Sequence, residues 1–361
     1  MNDYLEFTSS VGANLPKEGI ISCSSPSNIA LIKYWGKRPV QLPENASISF
    51  TLDACKTTTS LKYVLQDLIS EDFNFTLLFE GEPKPEFRPK IKKFFERIEK
   101  YVPFLKKYTF TIETSNTFPH SSGIASSASG MSALAFCVMQ LEQMIHPEMT
   151  NEECLQKASF LARLGSGSAC RSIEGPMTVW GKHQEITGSS DAFAVKFPYP
   201  IHQHFENYQD TILLIDKGEK QVSSTVGHDL MHGHPFASKR FEQATENITK
   251  LKEVLTSGDL DAFIQIVESE ALTLHAMMMT SLPYFILMKP NTLSVIEKIW
   301  AYRKKAGSKI CFTLDAGANV HVLYPNSEKE QVLEFITSEL VAYCQNGQYI
   351  CDKVGWGAKI L

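Results

Sequence analysis

Residues 119–130 read Pro-His-Ser-Ser-Gly-Ile-Ala-Ser-Ser-Ala-Ser-Gly and run directly into an apolar helical pattern. Small residues let a ligand approach the backbone closely, and the first amides of a helix have no internal acceptor. Those amides, at the positive end of the helix dipole, suit a phosphate group. Ser126, Ser127 and Ser129 add hydroxyl donors. The competing reading is a small-residue helix start that packs closely on a neighbour. No Lys follows the glycines as in GxxxxGK[ST], and GxGxxG is not matched, so a nucleotide bound here implies another fold.

Working outward, the helix after this loop carries the stripe Met131, Leu134, Ala135, Val138, Leu141 and Ile145. Upstream, the Thr-rich residues 56–65 favour a strand, as do Phe73, Phe75 and Leu77, which alternate before a turn at Gly81. Ile91, Phe94, Phe95 and Ile98 predict a helix over 89–101, and Tyr108, Phe110 and Ile112 a further strand. Thr150 with Glu153 makes a capping box for a helix that stops near Gly165. The two prolines of residues 192–205 mark a lobe boundary, giving lobes 1–205 and 206–361.

The second half opens with a strand at 211–215, followed by helices at 236–256, 259–279 and 292–305. Leu293, Ile296, Ile299 and Trp300 give the last helix its apolar face, and Gly307 stops it. Strands at 309–314 and 319–324 flank Asp315-Ala316-Gly317-Ala318, and Ser327 with Glu330 caps a final helix. Strands and helices without strict βαβα alternation indicate the α+β class.

Composition limits what the chain does. Its 361 residues carry a net charge of −5, with 43% hydrophobic and 21% charged residues, the profile of an ordinary globular protein. No broad basic excess exists for nucleic acid. No apolar run reaches the roughly 20 residues of a membrane span, and no segment reads as a secretion signal. Eight scattered cysteines without a CxxC pair fit a reducing, cytoplasmic setting. The ten histidines show no metal-ligand spacing, so no protein-coordinated transition metal is expected.

Four further segments carry chemistry. Residues 27–38 read Ser-Asn-Ile-Ala-Leu-Ile-Lys-Tyr-Trp-Gly-Lys-Arg, an apolar strand ending in Lys33 and Lys37 around Tyr34, fit for a polyanion or for a solvated turn. Residues 165–172 read Gly-Ser-Gly-Ser-Ala-Cys-Arg-Ser, where Arg171 adds a planar fork for a carboxylate or phosphate. Asp315 on its tight turn is either an ordinary turn residue or a carboxylate presented into a cleft. The hydroxyls at 223–225, after Lys217, Glu219 and Lys220, either bind phosphate oxygens or cap a helix.

Taken together, these segments resemble the GHMP small-molecule kinase superfamily and, within it, the diphosphomevalonate decarboxylases. Gly-Ile-Ala-Ser-Ser-Ala at 123–128 carries the superfamily likeness. The strings NIALIKYWGK at 28–37, LPENASISFTL at 42–52 and GSGSACRS at 165–172, followed by Asp315-Ala316-Gly317, carry the narrower one. The match runs from about Ser27 to Trp356.

The resemblance implies a two-lobed fold, with an N-terminal lobe of ribosomal-protein-S5-like type and a ferredoxin-like C-terminal lobe. The active site lies in the cleft between them. It implies ATP and Mg²⁺ as cofactors, 5-diphosphomevalonate as the small-molecule substrate, and a homodimer. By motif match the catalytic residues are Asp315, Arg171 and Lys33. Substrate contacts fall on Tyr34, Trp35, Gly36, Lys37, Arg88, Ser166, Gly167, Ser168, Ala169, Cys170, again Arg171, Ser224 and Thr225, and ATP contacts on Ser121, Ser122, Gly123, Ser126, Ser127 and Ser129. His120-Ser121-Ser122 stands where Thr-Ala-Ala is common, and Ala318 where Pro is frequent. The alternatives are a decarboxylase of the monophosphate, a kinase that stops at the 3-phosphate, and a ligand sensor on the same fold.

Overall fold

The computed structural model describes residues 4–119, 124–216 and 224–361. The first half lays down β1 (Glu18–Ile32), β2 (Lys37–Arg38), β3 (Leu42–Pro43), β4 (Ser47–Leu65), β5 (Asn74–Phe79), β6 (Glu82–Pro83), α1 (Arg88–Ile98), β7 (Tyr108–Asn116), α2 (Ser126–Ile145), α3 (Asn151–Gly165), β8 (Met177–Trp180) and β9 (Ala194–Lys196). The second half adds β10 (Gln209–Leu213), α4 (Ser224–Asp229), α5 (Ala237–Ser257), α6 (Leu260–Met279), α7 (Pro290–Ala306), β11 (Cys311–Thr313), β12 (Val320–Tyr324), α8 (Lys329–Phe335), β13 (Tyr349–Lys353) and β14 (Lys359–Ile360).

Among the described residues the first sheet has eight strands, ordered β14-β1-β4-β7-β5-β6, with β8 on β4 and β9 on β8. Along β4, alternate residues Cys55, Thr57, Thr59, Leu61 and Tyr63 are buried, as the two-residue period of a strand requires. Register shifts at Pro26/Asn28 and Ala30/Ile32 in β1 re-aim the strand just before Lys33. The helices α1, α2 and α3 supply the core on this sheet. The expected stripe of α2 is buried, but so are Ala133, Phe136, Cys137 and Met139. This helix contributes to the core on more than one side, which explains its apolar excess.

Around these bulges, Ile29, Leu31, Ile48 and Phe50 pack with Ile212, Ile248, Leu251, Phe263 and Val267 of the second half. The second sheet, β11-β12-β10-β13, is antiparallel, and Val295, Ile296 and Ile299 of α7 cluster with its Phe312, Val320 and Val322. The halves are also stitched by Asp352, whose carboxylate accepts from the amides of Asp53, Ala54 and Cys55 at 2.9, 2.8 and 2.7 Å. The chain then returns to the first sheet, where Lys359 and Ile360 pair with Ser24 and Cys23.

Most expected elements form, including the Thr150–Glu153 capping box, with its two backbone bonds at 3.2 and 2.8 Å. Two local expectations are corrected. The buried face of α7 uses Val295, while Leu293 and Trp300 are exposed; the Trp300 indole N–H instead donates to Glu268 at 2.9 Å. The Ser327–Glu330 box does not form. Ser327 lies inside a tight turn at 326–328, so Glu328 stands before α8, and its carboxylate is bound to Ser308 and to the Lys309 amide.

Candidate active site

A cavity of about 750 Å³ is walled by both halves of the chain. The first half contributes the end of β1, the start of α2 and the turn after α3. The second half contributes His228, Leu274, Asp315 and Ala316.

At its centre the Lys33 ammonium donates to Asp315 Oδ1 at 2.9 Å. Lys33 is almost completely buried, whereas the Asp315 side chain keeps 32% of its surface exposed. Burial pulls the Lys33 ammonium below its ordinary pKa in spite of Asp315. For Asp315, burial acts upward, but Lys33, His321 and Arg171 outweigh it and hold the carboxyl below its usual value. Asp315 is thus an ionised, oriented acceptor at neutral pH.

Buried groups fix both partners. The Lys33 amide donates to Glu270 Oε2 at 2.8 Å, and its carbonyl accepts from Asn45 and Arg240 at 2.9 and 3.1 Å. Glu270 itself receives Arg240 through two bonds, at 3.0 and 2.5 Å, and Asn247 at 2.7 Å. On the other side, His275 Nε2 meets the Asp315 carbonyl at 3.1 Å. A carbonyl only accepts, so Nε2 carries the proton. Burial lowers the His275 pKa to about 4, which keeps the ring neutral.

Arg171 lines the same wall, 5% exposed, with Nη1 donating to Ser47 Oγ at 2.8 Å. Its Nε is buried without a hydrogen-bond partner among the described residues, an unspent donor of a permanently charged group. Tyr34 packs edge-on to Trp180, with centroids 4.7 Å apart, and burial raises its hydroxyl pKa, so it stays protonated. Gly167 is required here, since a Cβ would lie 2.9 Å from the Trp180 ring and 3.0 Å from the Tyr34 hydroxyl.

At the other end, Ala125 adopts φ 47° and accepts the first helical amides, Ala128 and Ser129, at 2.7 and 3.3 Å. The amides of Ser126 and Ser127 precede these bonds, as a helix-start phosphate site requires. Ser127 Oγ accepts from Lys90 Nζ at 2.5 Å, and both line the cavity with Ser126, Thr57, Thr59 and Asn116.

Of the residues singled out in the sequence, the cavity gathers Lys33, Tyr34, Trp35, Lys37, Ser126, Ser127, Ser166, Gly167, Ser168, Arg171 and Asp315. Others sit behind it. Gly36 donates its amide to His228 Nδ1, Ser129 is paired with Thr57 at 2.7 Å, and Ala169 and Cys170 are buried in the turn. Arg88 lies elsewhere, its guanidinium bonded to the Phe75 carbonyl at 2.5 Å and resting on the Phe75 ring. Ser121, Ser122, Gly123 and Ser223 lie outside the described residues; Ser224 and Thr225 begin α4. The motifs did not point to Lys90, His228, Glu270, Arg240 or His275. Lys90 had one signal, its place on α1 beside the apolar stripe of Ile91 and Phe94.

A cavity that joins a helix-start phosphate cradle to a Lys–Asp pair, in a two-lobed α+β fold, defines a GHMP-kinase-type architecture. Family models agree. The diphosphomevalonate decarboxylase-like N-terminal domain matches residues 25–194, and the mevalonate 5-diphosphate decarboxylase C-terminal domain matches 211–354. A diphosphomevalonate decarboxylase of Debaryomyces hansenii is 31% identical over 87% of this chain and 82% of its own. The mevalonate diphosphate decarboxylase of Staphylococcus aureus superposes with a TM-score of 0.81, at 27% identity, over 95% of this chain and 98% of its own. The complex of MDDEF with MVAPP, AMPPCP and magnesium gives 0.79 at 28% identity, over 95% and 99%. The chain belongs to the diphosphomevalonate decarboxylase family.

Proposed function

We propose that this cavity converts (R)-5-diphosphomevalonate, with ATP and Mg²⁺, into isopentenyl diphosphate, CO₂, ADP and phosphate, in the mevalonate route to isoprenoids. The observation that carries the reading is the Lys33–Asp315 pair at 2.9 Å with Arg171 on the same cavity wall.

The residues present fit the cofactors. The helix-start amides of Ser126 and Ser127, with the Ser126 hydroxyl and the Lys90 ammonium held at Ser127, suit the phosphates of ATP. Hydroxyl oxygens also suit a Mg²⁺ ion that keeps phosphates and waters as its main ligands. Tyr34, Trp35, Lys37 and the 166–168 turn hold the substrate, and Arg171 holds its carboxylate; the family likeness adds Ser224 and Thr225.

A tertiary hydroxyl is a poor nucleophile, and hydroxide a poor leaving group. Asp315 accepts the C3–OH hydrogen bond and takes the proton as the O–P bond forms and the bond from the γ-phosphorus to ADP breaks, its electron pair leaving with ADP; by then the hydroxyl has become acidic enough for a weak base. Lys33 offsets charge on the moving phosphoryl group. The C3–O bond then breaks with its electron pair going to phosphate. The bond to the carboxylate supplies the electrons of the new C=C, and CO₂ leaves. Arg171, fixed by Ser47, keeps that carboxylate in the orientation the elimination needs.

The proposal extends to the lobe division at 205/206, a cytoplasmic location and a homodimer. These rest on the two family-model spans, the scattered cysteines and the family likeness. The deciding assay gives purified protein 5-diphosphomevalonate and MgATP; CO₂ and ADP should appear in equal amounts. ADP without CO₂ would overturn the reading in favour of a kinase.

A further inference from the structure

His228 lies on α4 with its ring between Tyr34 and Trp35, at centroid distances of 4.2 and 4.5 Å. The Gly36 amide donates to its Nδ1 at 3.0 Å. A backbone amide only donates, so Nδ1 keeps its lone pair and the ring proton sits on Nε2. The main chain fixes this tautomer. Protonating Nδ1 as well would break the Gly36 bond, and burial together with the nearby cations Lys37 and Arg171 disfavours a charged ring. His228 is therefore a neutral donor.

That donor is unspent. Among the described residues no acceptor reaches Nε2, and the atom is not one of the unpartnered polar atoms sealed from solvent. The residue as a whole is 7% exposed and lines the cavity, so its open part faces the cavity. Lys37, Arg171 and Tyr34 line the same cavity. Two permanent or near-permanent cations and two neutral donors converge there, a set that selects an anionic oxygen. The Gly36 amide that holds the ring is the chain neighbour of Lys37, and Lys37 lines the same cavity. The complementary oxygen thus belongs to the group Lys37 holds, and not to a carboxylate held by Arg171.

We propose that the Nε2–H of His228 donates to an oxygen of the substrate's terminal diphosphate, making His228 a substrate-binding residue that no motif of the chain marks. The identity of the ligand rests on the function proposed above. The gain is a hydrogen bond to an anion that does not titrate with the surroundings, held rigid by two aromatic rings and a backbone amide.

Calorimetric titration with inorganic pyrophosphate, which has no carboxylate and no tertiary hydroxyl, isolates the contact. His228→Asn keeps an acceptor for the Gly36 amide and loses the distal donor. His228→Gln places an amide N–H near the Nε2 position. Pyrophosphate binding should weaken about ten-fold or more in His228→Asn and return to within about three-fold of wild type in His228→Gln. The KM for 5-diphosphomevalonate should follow the same order while kcat changes less. Equal pyrophosphate affinity in all three proteins would overturn the proposal. So would equal weakening in both variants, which would reduce His228 to packing against Tyr34 and Trp35. Weaker binding of 5-diphosphomevalonate with unchanged pyrophosphate binding would assign the donor to the carboxylate end, and would overturn it too. These titrations need no turnover: a wild type that released no CO₂ would remove the functional reading and leave the pyrophosphate result to be judged alone.

Discussion

The amide of Lys33 donates to Glu270, and the ammonium of the same residue donates to Asp315, at 2.8 and 2.9 Å. One buried carboxylate holds the lysine's backbone, so its side chain is free to hold the other. Glu270 also pairs with Arg240, which is itself buried. Replacing Glu270 by Gln leaves that guanidinium uncompensated. Urea unfolding should show a loss of about 3–5 kcal/mol, the usual result of stripping one partner from a buried pair.

Asp315→Asn retains the shape of the turn and removes the proton acceptor. The kcat should fall by about 10² to 10⁴-fold, the usual worth of a positioned base, with ATP affinity close to wild type by titration. Near-normal turnover would remove Asp315 from the role given to it.

Lys33→Met tests the electrostatic coupling of the pair. In the native enzyme the Asp315 carboxyl titrates below its ordinary value, so no acid loss of kcat/KM arises from it near neutrality. Without the lysine, burial dominates and the carboxyl pKa rises. The acid limb of the pH–rate profile should therefore move to higher pH. A limb that stays in place would show that Lys33 does not tune Asp315.

His275 makes a stability prediction with a defined sign. Its folded pKa is lowered to about 4, while an unfolded histidine titrates near 6.5. Between those values the unfolded chain binds a proton that the native chain does not, so this contribution is complete above about pH 6.5 and shrinks as pH falls toward 4. From pH 6.5 to 5 the loss is about 2 kcal/mol. His275→Gln, which retains a donor for the Asp315 carbonyl, should flatten that part of the stability–pH curve in denaturant titrations.

Lys90→Gln removes the ammonium beside Ser127. The KM for ATP should rise several-fold, and the KM for the organic substrate should stay near wild type. Equal increases in both would place Lys90 at a shared structural position and not at the nucleotide end.

Much of this was readable before the fold was seen. Local patterns carried the Thr150–Glu153 box and the α2 stripe, because both depend on neighbours three or four residues away. The Lys33, Arg171 and Asp315 segments stood out because small and charged residues cluster there in short strings. The misses lie where the fold departs from local spacing. Ser327 sits inside the turn at 326–328 and does not stand before α8, and Trp300 turns to Glu268, so a cap and an apolar face that local spacing favoured are not used. Glu270, Arg240 and His228 are single polar residues on helices; nothing adjacent in the chain marks them, and only packing brings them to Lys33 and Gly36. Arg88 and Lys90 are two residues apart on α1, and helical geometry sends the first to Phe75 and the second to the cavity.

The pairing of Lys359 and Ile360 with Ser24 and Cys23 has a consequence for biogenesis. During synthesis the outer edge of β1 emerges long before β14, the strand that pairs with it. Until then β1 presents open backbone donors and acceptors to whatever lies nearby. Completion of the first sheet is thus a long-range event, of the kind whose loop-closure entropy slows folding.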